Sequence, residues 1–289
     1  MDKTASPPIY QTGHAMSADG TQIGYRQLGN GPSLILVHGG MQASQNFMKL
    51  GEYLADSFTV YIVDRRGRGM SGPFGNNYSL VKDCEDVKAI ADKTNTNNIF
   101  GLSSGGVISL QTTLLFPDSI LKIAIYEPPF LLRDIIKGNF FIERFDREIF
   151  REEIADAFIT VTKGLQISPL FKFLPRFLLT PLFRLMFKKE EVITDENDVP
   201  IKSLVPTFHF DYKIVTETVG TLENYKVTNA EVLLLGGSKS PDYLLNGLKK
   251  LASILPNAKK VIFKGLDHMG PDNSGKPELI AQELKKFFS

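Results

Sequence analysis

The sequence is poor in the residues that most often build metal sites and disulfide bonds. Of its 289 residues only one is a cysteine, Cys84, and four are histidines. A single cysteine cannot form an internal disulfide, and there is no Cys-x-x-Cys pair or Cys/His cluster to hold zinc. We therefore interpret Cys84 as a small, partly buried hydrophobic residue, and we expect neither a metal nor a cofactor.

The chain also lacks a strong charge of one sign and a long uninterrupted apolar run. Its formal net charge is +1, so charge gives no reason to expect a nucleic-acid partner. The nearest candidate for a membrane span, residues 165–187, is broken by three prolines and three basic residues. Residues 1–12 are polar and lack the apolar region of a signal peptide. We therefore expect a cytoplasmic protein that does not contact a membrane.

A regular alternation of strands and helices predicts an α/β fold. Residues 33–37 consist of a serine followed by four consecutive apolar residues, which is typical of a strand that is buried on both faces. After a β-hairpin at 14–28, strands are predicted at 33–37, 58–63, 98–102, 121–126, 231–235 and 260–263, with helices at 44–56, 79–93, 105–116, 242–254 and 276–288. This order predicts βαβ units, that is, a mostly parallel sheet with helices on both faces.

The alternation is interrupted between residues 128 and 225, a segment that we call the insertion. It contains no predicted buried strand, is rich in phenylalanine and is divided by prolines. We therefore expect one α/β core, built from residues 1–127 and 226–289, and a helical cap or lid at 128–225.

A basic stripe runs through the apolar part of the insertion. Lys172, Arg176, Thr180 and Arg184 recur at every fourth position, which on a helix gives one basic face and leaves the rest apolar. We interpret the stripe as the solvated face of a pair of cap helices. The alternative is an entrance for apolar or anionic lipid-like substrates, or a surface that rests on a membrane. Both interpretations favour a hydrophobic acyl or aromatic substrate of modest size.

A serine between two glycines follows the strand predicted at 98–102. Residues 101–105 fit the pattern G-x-S-x-G, with a strand before them and a helix after. So tight a turn holds Ser103 in strained backbone angles, with its hydroxyl above the carboxyl edge of the sheet. The N–H of Ser104, at the start of the helix, then points to where an oxyanion would form. The pattern predicts that Ser103 is a nucleophile.

A serine hydroxyl needs an adjacent base, and His268 is the best placed of the histidines. It follows the last predicted strand, in a loop rich in glycine, aspartate and proline, and it comes after Ser103 in the chain. His14 lies in the predicted hairpin, and His38 lies in the turn after the strand predicted at 33–37. His209 lies in the insertion. We predict that His268 is the general base.

Four motifs together resemble the α/β-hydrolase family with a cap domain. They are the oxyanion turn at 36–40, the D-x-R-G-x-G-x-S loop at 64–71, the nucleophile elbow at 101–106 and the histidine loop at 265–268. They occur in the family's order and spacing and cover the whole predicted core. In the second motif, the resemblance implies that Asp64 and Arg66 brace their loop without a chemical role.

The resemblance also implies how an oxyanion would be held. The hole would consist of the backbone N–H of Ser104 and a second N–H from the turn after His38, either that of Gly40 or that of Met41. The side chain of His38 is expected to be structural and to fix this turn. Ser103 would be the nucleophile.

The carboxylate that should orient His268 departs from the common family pattern. In most relatives it follows the strand predicted at 231–235, but the aligned residue here is Ser240, which cannot compensate an imidazolium. Two carboxylates remain. Glu127 ends the preceding strand, where haloalkane dehalogenases among other relatives carry their acid, and Asp242 lies just past the usual position. We favour Glu127, because Asp242 is expected to open the next helix as an N-cap.

The resemblance implies a serine hydrolase that acts on carboxylic esters, lactones or thioesters of a hydrophobic small molecule through an acyl-enzyme. Related dehalogenases and epoxide hydrolases carry an aspartate where this chain has Ser103, and a serine there indicates acyl chemistry instead. A cofactor-free lyase or an acyltransferase with the same triad is an alternative. A non-enzymatic ligand-binding protein is a third possibility, because fold alone does not settle function.

Overall fold

The computed structural model describes residues 10–130, 140–167, 174–190 and 195–289. Its strands are β1 (Gln11–Met16), β2 (Gln22–Leu28), β3 (Ser33–Val37), β4 (Thr59–Val63), β5 (Asn98–Leu102), β6 (Lys122–Tyr126), β7 (Glu231–Gly237) and β8 (Ala258–Phe263). They form one sheet in the order β1-β2-β4-β3-β5-β6-β7-β8. Strand β2 pairs antiparallel with β1 and with β4, and all the other neighbouring strands pair parallel. The predicted α/β fold with a mostly parallel sheet is confirmed.

Helices cover both faces of this sheet. The helices of the core are α1 (Met48–Leu54), α2 (Leu80–Thr94), α3 (Ser104–Leu115), α9 (Asp242–Ile254) and α10 (Pro277–Phe288). The apolar side chains of α1 and α10 belong to one buried cluster, and those of α2, α3 and α9 belong to another on the opposite face. The sheet is therefore the middle layer of three.

The central strands show why their sequences are apolar without alternation. In β3, Leu34 and Leu36 belong to the cluster with α1 and α10, whereas Ile35 and Val37 belong to the cluster with α2 and α3. Successive side chains of a strand point to opposite faces, so a strand that is covered on both sides must be apolar at every position. The predicted bounds agree closely with this structure. The largest differences are at α1, whose predicted first residues 44–47 form a 3-10 helix, and at β1, predicted from residue 14 and observed from residue 11.

The described part of the insertion is helical and contains no strand. Its helices are α4 (Phe140–Phe150), α5 (Ile154–Gly164), α6 (Arg176–Glu190), α7 (Ile201–Leu204) and α8 (Phe208–Glu217). Short 3-10 helices occur at Ser44–Phe47, Val205–Thr207 and Leu222–Val227. The insertion has its own buried cluster, which includes Phe145, Phe183, Phe187 and Phe208. Helix α8 also packs on α2 and α3 of the core.

Two further points concern the insertion. Lys172 of the predicted basic stripe lies outside the described residues, so the structure speaks only for the other three members. No helix in the described ranges is long and apolar enough to cross a bilayer. The division of the chain into a core and a cap at residues 127 and 226 stays a prediction.

Candidate active site

Ser103 stands on a sharp turn between β5 and α3. Its φ of 54° and ψ of −121° lie in a region that side chains rarely adopt. A Cβ at Gly101 would come within 2.4 Å of the Gly105 carbonyl oxygen, and one at Gly105 within 2.3 Å of the Val37 oxygen. Backbone atoms cannot move aside easily, so the turn requires glycine at both positions. The G-x-S-x-G pattern is thus explained by close packing around a strained serine.

His268 and Glu127 are brought together from loops 141 residues apart in the chain. The Nδ1 atom of His268 lies 2.7 Å from Glu127 Oε2, and the carboxylate is fully buried. Its other oxygen, Oε1, accepts a hydrogen bond of 2.6 Å from the N–H of Gly237. A carboxylate only accepts, so Nδ1 carries the hydrogen and Nε2 is left to take up a proton.

The other carboxylate considered from the sequence does not reach His268. Asp242 is exposed and makes no hydrogen bond with this histidine. It is the first residue of α9, and Pro241 occupies the N-cap position that we predicted for Asp242. Ser240, at the usual position of the acid, is buried, and its Oγ has no hydrogen-bond partner in the described part of the chain.

Ser103 and His268 line the same cavity of about 580 Å³. Its roof comes from the insertion and is mostly apolar, with Phe158, Leu165 and Val215 among its residues. No hydrogen bond joins the Ser103 hydroxyl to the imidazole in this structure. Such bonds often tighten only in the complex with substrate. The arrangement offers a hydroxyl, a base and an apolar chamber in one place.

Several backbone groups of the turn after β3 are already hydrogen-bonded within the protein. The N–H of Gly39 donates to the side-chain oxygen of Gln42 at 2.9 Å. The carbonyl of Gly39 accepts a hydrogen bond of 3.1 Å from the buried guanidinium of Arg68. The Gln42 side chain also donates to Asp272 at 2.9 Å, in the loop that carries His268. These hydrogen bonds determine which backbone groups of the turn remain free to bind a ligand.

The N–H groups of Gly40 and Met41, predicted as alternatives for the oxyanion hole, differ in whether they already have a hydrogen-bond partner. Met41, whose φ is 54°, donates its N–H to Asp211 Oδ2 at 3.3 Å. The N–H of Gly40 has no hydrogen-bond partner among the described residues. The N–H of Ser104 is at the first position of α3, where helix geometry provides no internal partner. Gly40 and Ser104 therefore retain donors that a ligand could use, and both residues line the cavity.

Asp211, on α8 of the insertion, is buried beside this turn. Each of its carboxylate oxygens accepts two hydrogen bonds. Oδ1 receives Arg65 at 2.7 Å and the Ser104 hydroxyl at 3.1 Å, and Oδ2 receives Arg68 at 2.7 Å and the Met41 N–H. Burial raises the pKa of Asp211, but the charges of Arg68 and Arg65 outweigh this and lower the pKa to about 2. The carboxylate is thus ionised and saturated with protein donors.

His38 holds the same turn in a neutral form. Its Nδ1 lies 2.9 Å from the carbonyl of Gly39, and its Nε2 accepts the N–H of Arg65 at 3.3 Å. Burial lowers the pKa of His38 well below its usual value, and the charges of Arg68 and Arg65 lower it further. These contacts agree with the structural role predicted for His38.

The loop after β4 is braced by its first and third residues. Asp64 accepts the N–H groups of Ser44 at 2.7 Å and Met70 at 3.1 Å, and it is completely buried. Arg66 forms a bidentate pair with Asp86, with N–O distances of 2.6 and 2.5 Å. Both residues brace their loop as predicted.

Sequence reasoning missed the buried cluster of Arg65, Arg68 and Asp211. Both arginines are visible in the run at 65–68, but the sequence does not show that they face inward. Asp211 carries no local signal, since it lies 146 residues from Arg65 in the chain. His209, its near neighbour, lies on the surface and pairs with Asp146 instead. No group of three or more His, Cys, Asp or Glu residues suited to a metal ion occurs in the described ranges.

A model of the α/β-hydrolase fold family matches residues 32–273, so the chain belongs to that family. Its relatives include hydrolases. An uncharacterized hydrolase of Bacillus subtilis, YraK, is 31% identical over 129 residues, which are 43% of this chain and 46% of the relative. The pig bifunctional epoxide hydrolase 2 is 25% identical over 162 residues, 52% of this chain and 29% of the relative. The matched stretch thus spans less than half the length of these curated relatives.

Solved structures resemble the chain over nearly its whole length. An α/β hydrolase from Sphaerobacter thermophilus superposes with a TM-score of 0.76 and 26% identity, covering 96% of this chain and 100% of that one. The esterase RhEst1 from Rhodococcus sp. superposes with a TM-score of 0.68 and 20% identity, covering 97% and 98%. Because the identity to RhEst1 is only 20%, this likeness concerns the fold alone.

Proposed function

We propose that this enzyme is a serine hydrolase that cleaves carboxylic esters of hydrophobic small molecules through an acyl-enzyme. One observation carries the proposal. The strained serine at 103 shares a cavity with His268, whose Nδ1 is held at 2.7 Å by the buried carboxylate of Glu127. A nucleophile, a base and a group that orients the base are the parts that such catalysis requires.

In the first step, His268 Nε2 takes the proton of Ser103 Oγ while this oxygen attacks the ester carbonyl carbon. The carbonyl electrons move onto the oxygen and form a tetrahedral oxyanion. When the electrons return, the bond to the alcohol oxygen breaks, and the imidazolium donates its proton to the leaving alkoxide. Water then releases the acid by the same route. Glu127 stabilises the imidazolium and keeps the hydrogen on Nδ1 throughout.

The free donors of Gly40 and Ser104 would form the oxyanion hole. Met41 is the less suitable of the two alternatives, because its N–H is already bound to Asp211. In this proposal Asp211 is a positioning residue. It occupies the Met41 N–H and links the insertion to the turn that carries Gly40. Removal of one oxyanion donor in comparable sites lowers kcat by about 100- to 1,000-fold.

The cavity supports a hydrophobic acyl or aromatic substrate, with lactones and thioesters as chemically similar candidates. Helices α5 and α8 of the insertion supply much of its apolar wall, and we propose that the insertion acts as the cap. The similarity to an epoxide hydrolase does not favour epoxide chemistry here. Related epoxide hydrolases carry an aspartate at the nucleophile position, and this chain has Ser103.

The test is the intact mass of the protein after treatment with a fluorophosphonate, for the wild type and for Ser103→Ala. We expect a single adduct on the wild type and none on the variant, followed by turnover of short aryl esters. No adduct on a folded wild type would refute the activated serine. Adduct formation together with turnover of an epoxide and of no ester or thioester would refute the proposed substrate class.

A further inference from the structure

Helix α6 of the insertion is apolar on two opposite faces. Its inner face buries Leu179, Phe183 and Phe187. Two of these rings pack edge-on against Phe158 of α5, with centroid distances of 4.9 and 5.6 Å. This face is sufficient to attach α6 to the rest of the insertion, so the apolar residues on its other side need a separate explanation.

The basic stripe of α6 is not wholly its solvated face. Arg176 donates to Glu148 of α4 at 2.7 Å, and Thr180 donates to Asp156 of α5 at 2.8 Å. Arg184 lies 3.6 Å from the same Asp156 carboxylate. The interpretation of the stripe as a solvated face therefore fails for Arg176 and Thr180, whereas Arg184 is 66% exposed as well as close to Asp156. The helix uses these polar residues for contacts with its neighbours and turns other residues outward.

The residues turned outward are apolar. At 100° per residue they form one continuous strip along the helix, which we call the outer strip. Its members are Phe177, Leu178, Pro181, Leu182, Leu185 and Met186, and all six are exposed. Phe177 alone leaves 73% of its surface accessible. A helix that is apolar all round is normally buried, and contiguous exposed apolar surface marks an interaction site.

The charge around the outer strip indicates what covers it. Arg184, Lys188 and Lys189 are exposed on the same helix, and the one acidic residue in the sequence of this helix is its last, Glu190. We propose that the outer strip docks on an anionic membrane surface, with its apolar side chains in the interface and the cations at the headgroups. Apolar residues flanked by lysine and arginine are the pattern of helices that lie in such an interface.

A second copy of the chain fits this surface less well. In a symmetric dimer the same patch meets itself, and the exposed part of residues 176–189 offers no acid to meet the cations of the partner. An anionic headgroup layer provides that complement, since each cation near it contributes about 1 kcal/mol, or about a fivefold gain in affinity. The expectation from the sequence that the protein avoids membranes is replaced by this proposal.

The surface also lies close to the cavity. Phe158 packs against the inner face of α6 and lines the cavity that contains Ser103. The inner-face rings of α6 and Phe158 thus lie between the proposed membrane face and the reaction chamber. If the proposed ester hydrolysis is correct, substrates that partition into membranes are the class to test first. The docking surface does not depend on that activity.

The test is co-sedimentation of the full chain with phosphatidylcholine vesicles, and with vesicles in which a quarter of the lipid is phosphatidylglycerol. We expect binding to the anionic vesicles and little to the neutral ones. Leu182→Glu/Leu185→Glu should abolish it, and Lys188→Glu/Lys189→Glu should weaken it by about 30-fold or more, at about fivefold per lysine removed. The matched control is Lys249→Glu/Lys250→Glu, an exposed lysine pair on α9 of the core, which should bind like the wild type.

Three results would contradict the anionic docking surface. Equal binding to both vesicle types, or equal weakening by both lysine-pair variants, would refute the anionic docking surface. So would an absence of binding together with a dimer, measured by light scattering, that the double leucine variant dissociates. Fluorophosphonate labelling of each variant shows that it is folded and keeps the active site, so failure of docking is distinguishable from failure of the proposed function.

Discussion

Replacement of Glu127 by glutamine should disable the base without removing it. The carboxylate accepts two hydrogen bonds, from His268 Nδ1 and from the N–H of Gly237. A glutamine amide has one acceptor oxygen and one NH2 donor, so only one of these partners can be satisfied. The Gly237 N–H is fixed backbone and will take the oxygen. The NH2 group then faces Nδ1, which must become an acceptor, and the hydrogen moves to Nε2.

That tautomer cannot accept the proton of Ser103, and the imidazolium also loses its stabilising charge. Comparable replacements of the triad acid lower kcat by about 10,000-fold. Glu127→Asp keeps the charge but withdraws the carboxylate by about one C–C bond, or ~1.5 Å. We expect it to fall between wild type and Glu127→Gln. The two variants therefore separate the contribution of charge from that of position.

The assay is steady-state hydrolysis of a p-nitrophenyl ester, with circular dichroism to confirm that each variant is folded. Asp242→Asn is the matched control, because Asp242 is exposed and far from these contacts in the hydrogen-bond network. Exposed substitutions of this kind change the free energy of unfolding by about 0.5 kcal/mol or less, and Asp242 makes no hydrogen bond with His268, so Asp242→Asn should keep the kcat of the wild type. Full activity of Glu127→Gln combined with inactivity of Asp242→Asn would show that the acid has been assigned to the wrong residue.

Two further predictions concern the elbow and the buried cluster. Gly105→Ala should lower the free energy of unfolding by about 2 kcal/mol or more and slow fluorophosphonate labelling, because its Cβ would meet the Val37 oxygen at 2.3 Å. Gly106→Ala, whose Cβ would lie 3.2 Å from the Gly101 carbonyl oxygen, should lower the free energy of unfolding in urea by less than Gly105→Ala, and equal effects would contradict the close-packing explanation. The pKa of Asp211 is lowered from 3.8 to about 2, so its ionised carboxylate stabilises the folded protein. This stabilisation is present above about pH 4 and is lost as pH falls through about 2. The excess stability of the wild type over Asp211→Asn should therefore shrink by about 2 kcal/mol between about pH 5 and pH 2, and a pH-independent difference in urea unfolding would contradict the ionised carboxylate.

The site could be predicted from the sequence where local pattern and chemistry coincide. Ser103 is recognisable because only glycine fits on both sides of so tight a turn. His268 follows a strand that ends at the same edge of the sheet. The choice between Glu127 and Asp242 was open, because both follow strands at that edge. The structure brings one of them to His268 and leaves the other exposed on α9.

The sequence by itself determined the layers of the fold and the order of their elements. The four consecutive apolar residues 34–37 of β3 require cover on both faces, and this follows from strand geometry without knowledge of the partners. The insertion can also be recognised from the sequence. The lack of a predicted buried strand between residues 128 and 225 is a property of the local sequence.

Only the tertiary structure decided which donors remain free and which faces remain exposed. The engagement of the Met41 N–H by Asp211, and hence the choice of Gly40, depends on contact between segments 170 residues apart. The direction of the stripe of α6 depends on Glu148 and Asp156 on neighbouring helices. Helical spacing shows which residues share a face, but the electrostatic and apolar contacts of the packed helix decide where that face points.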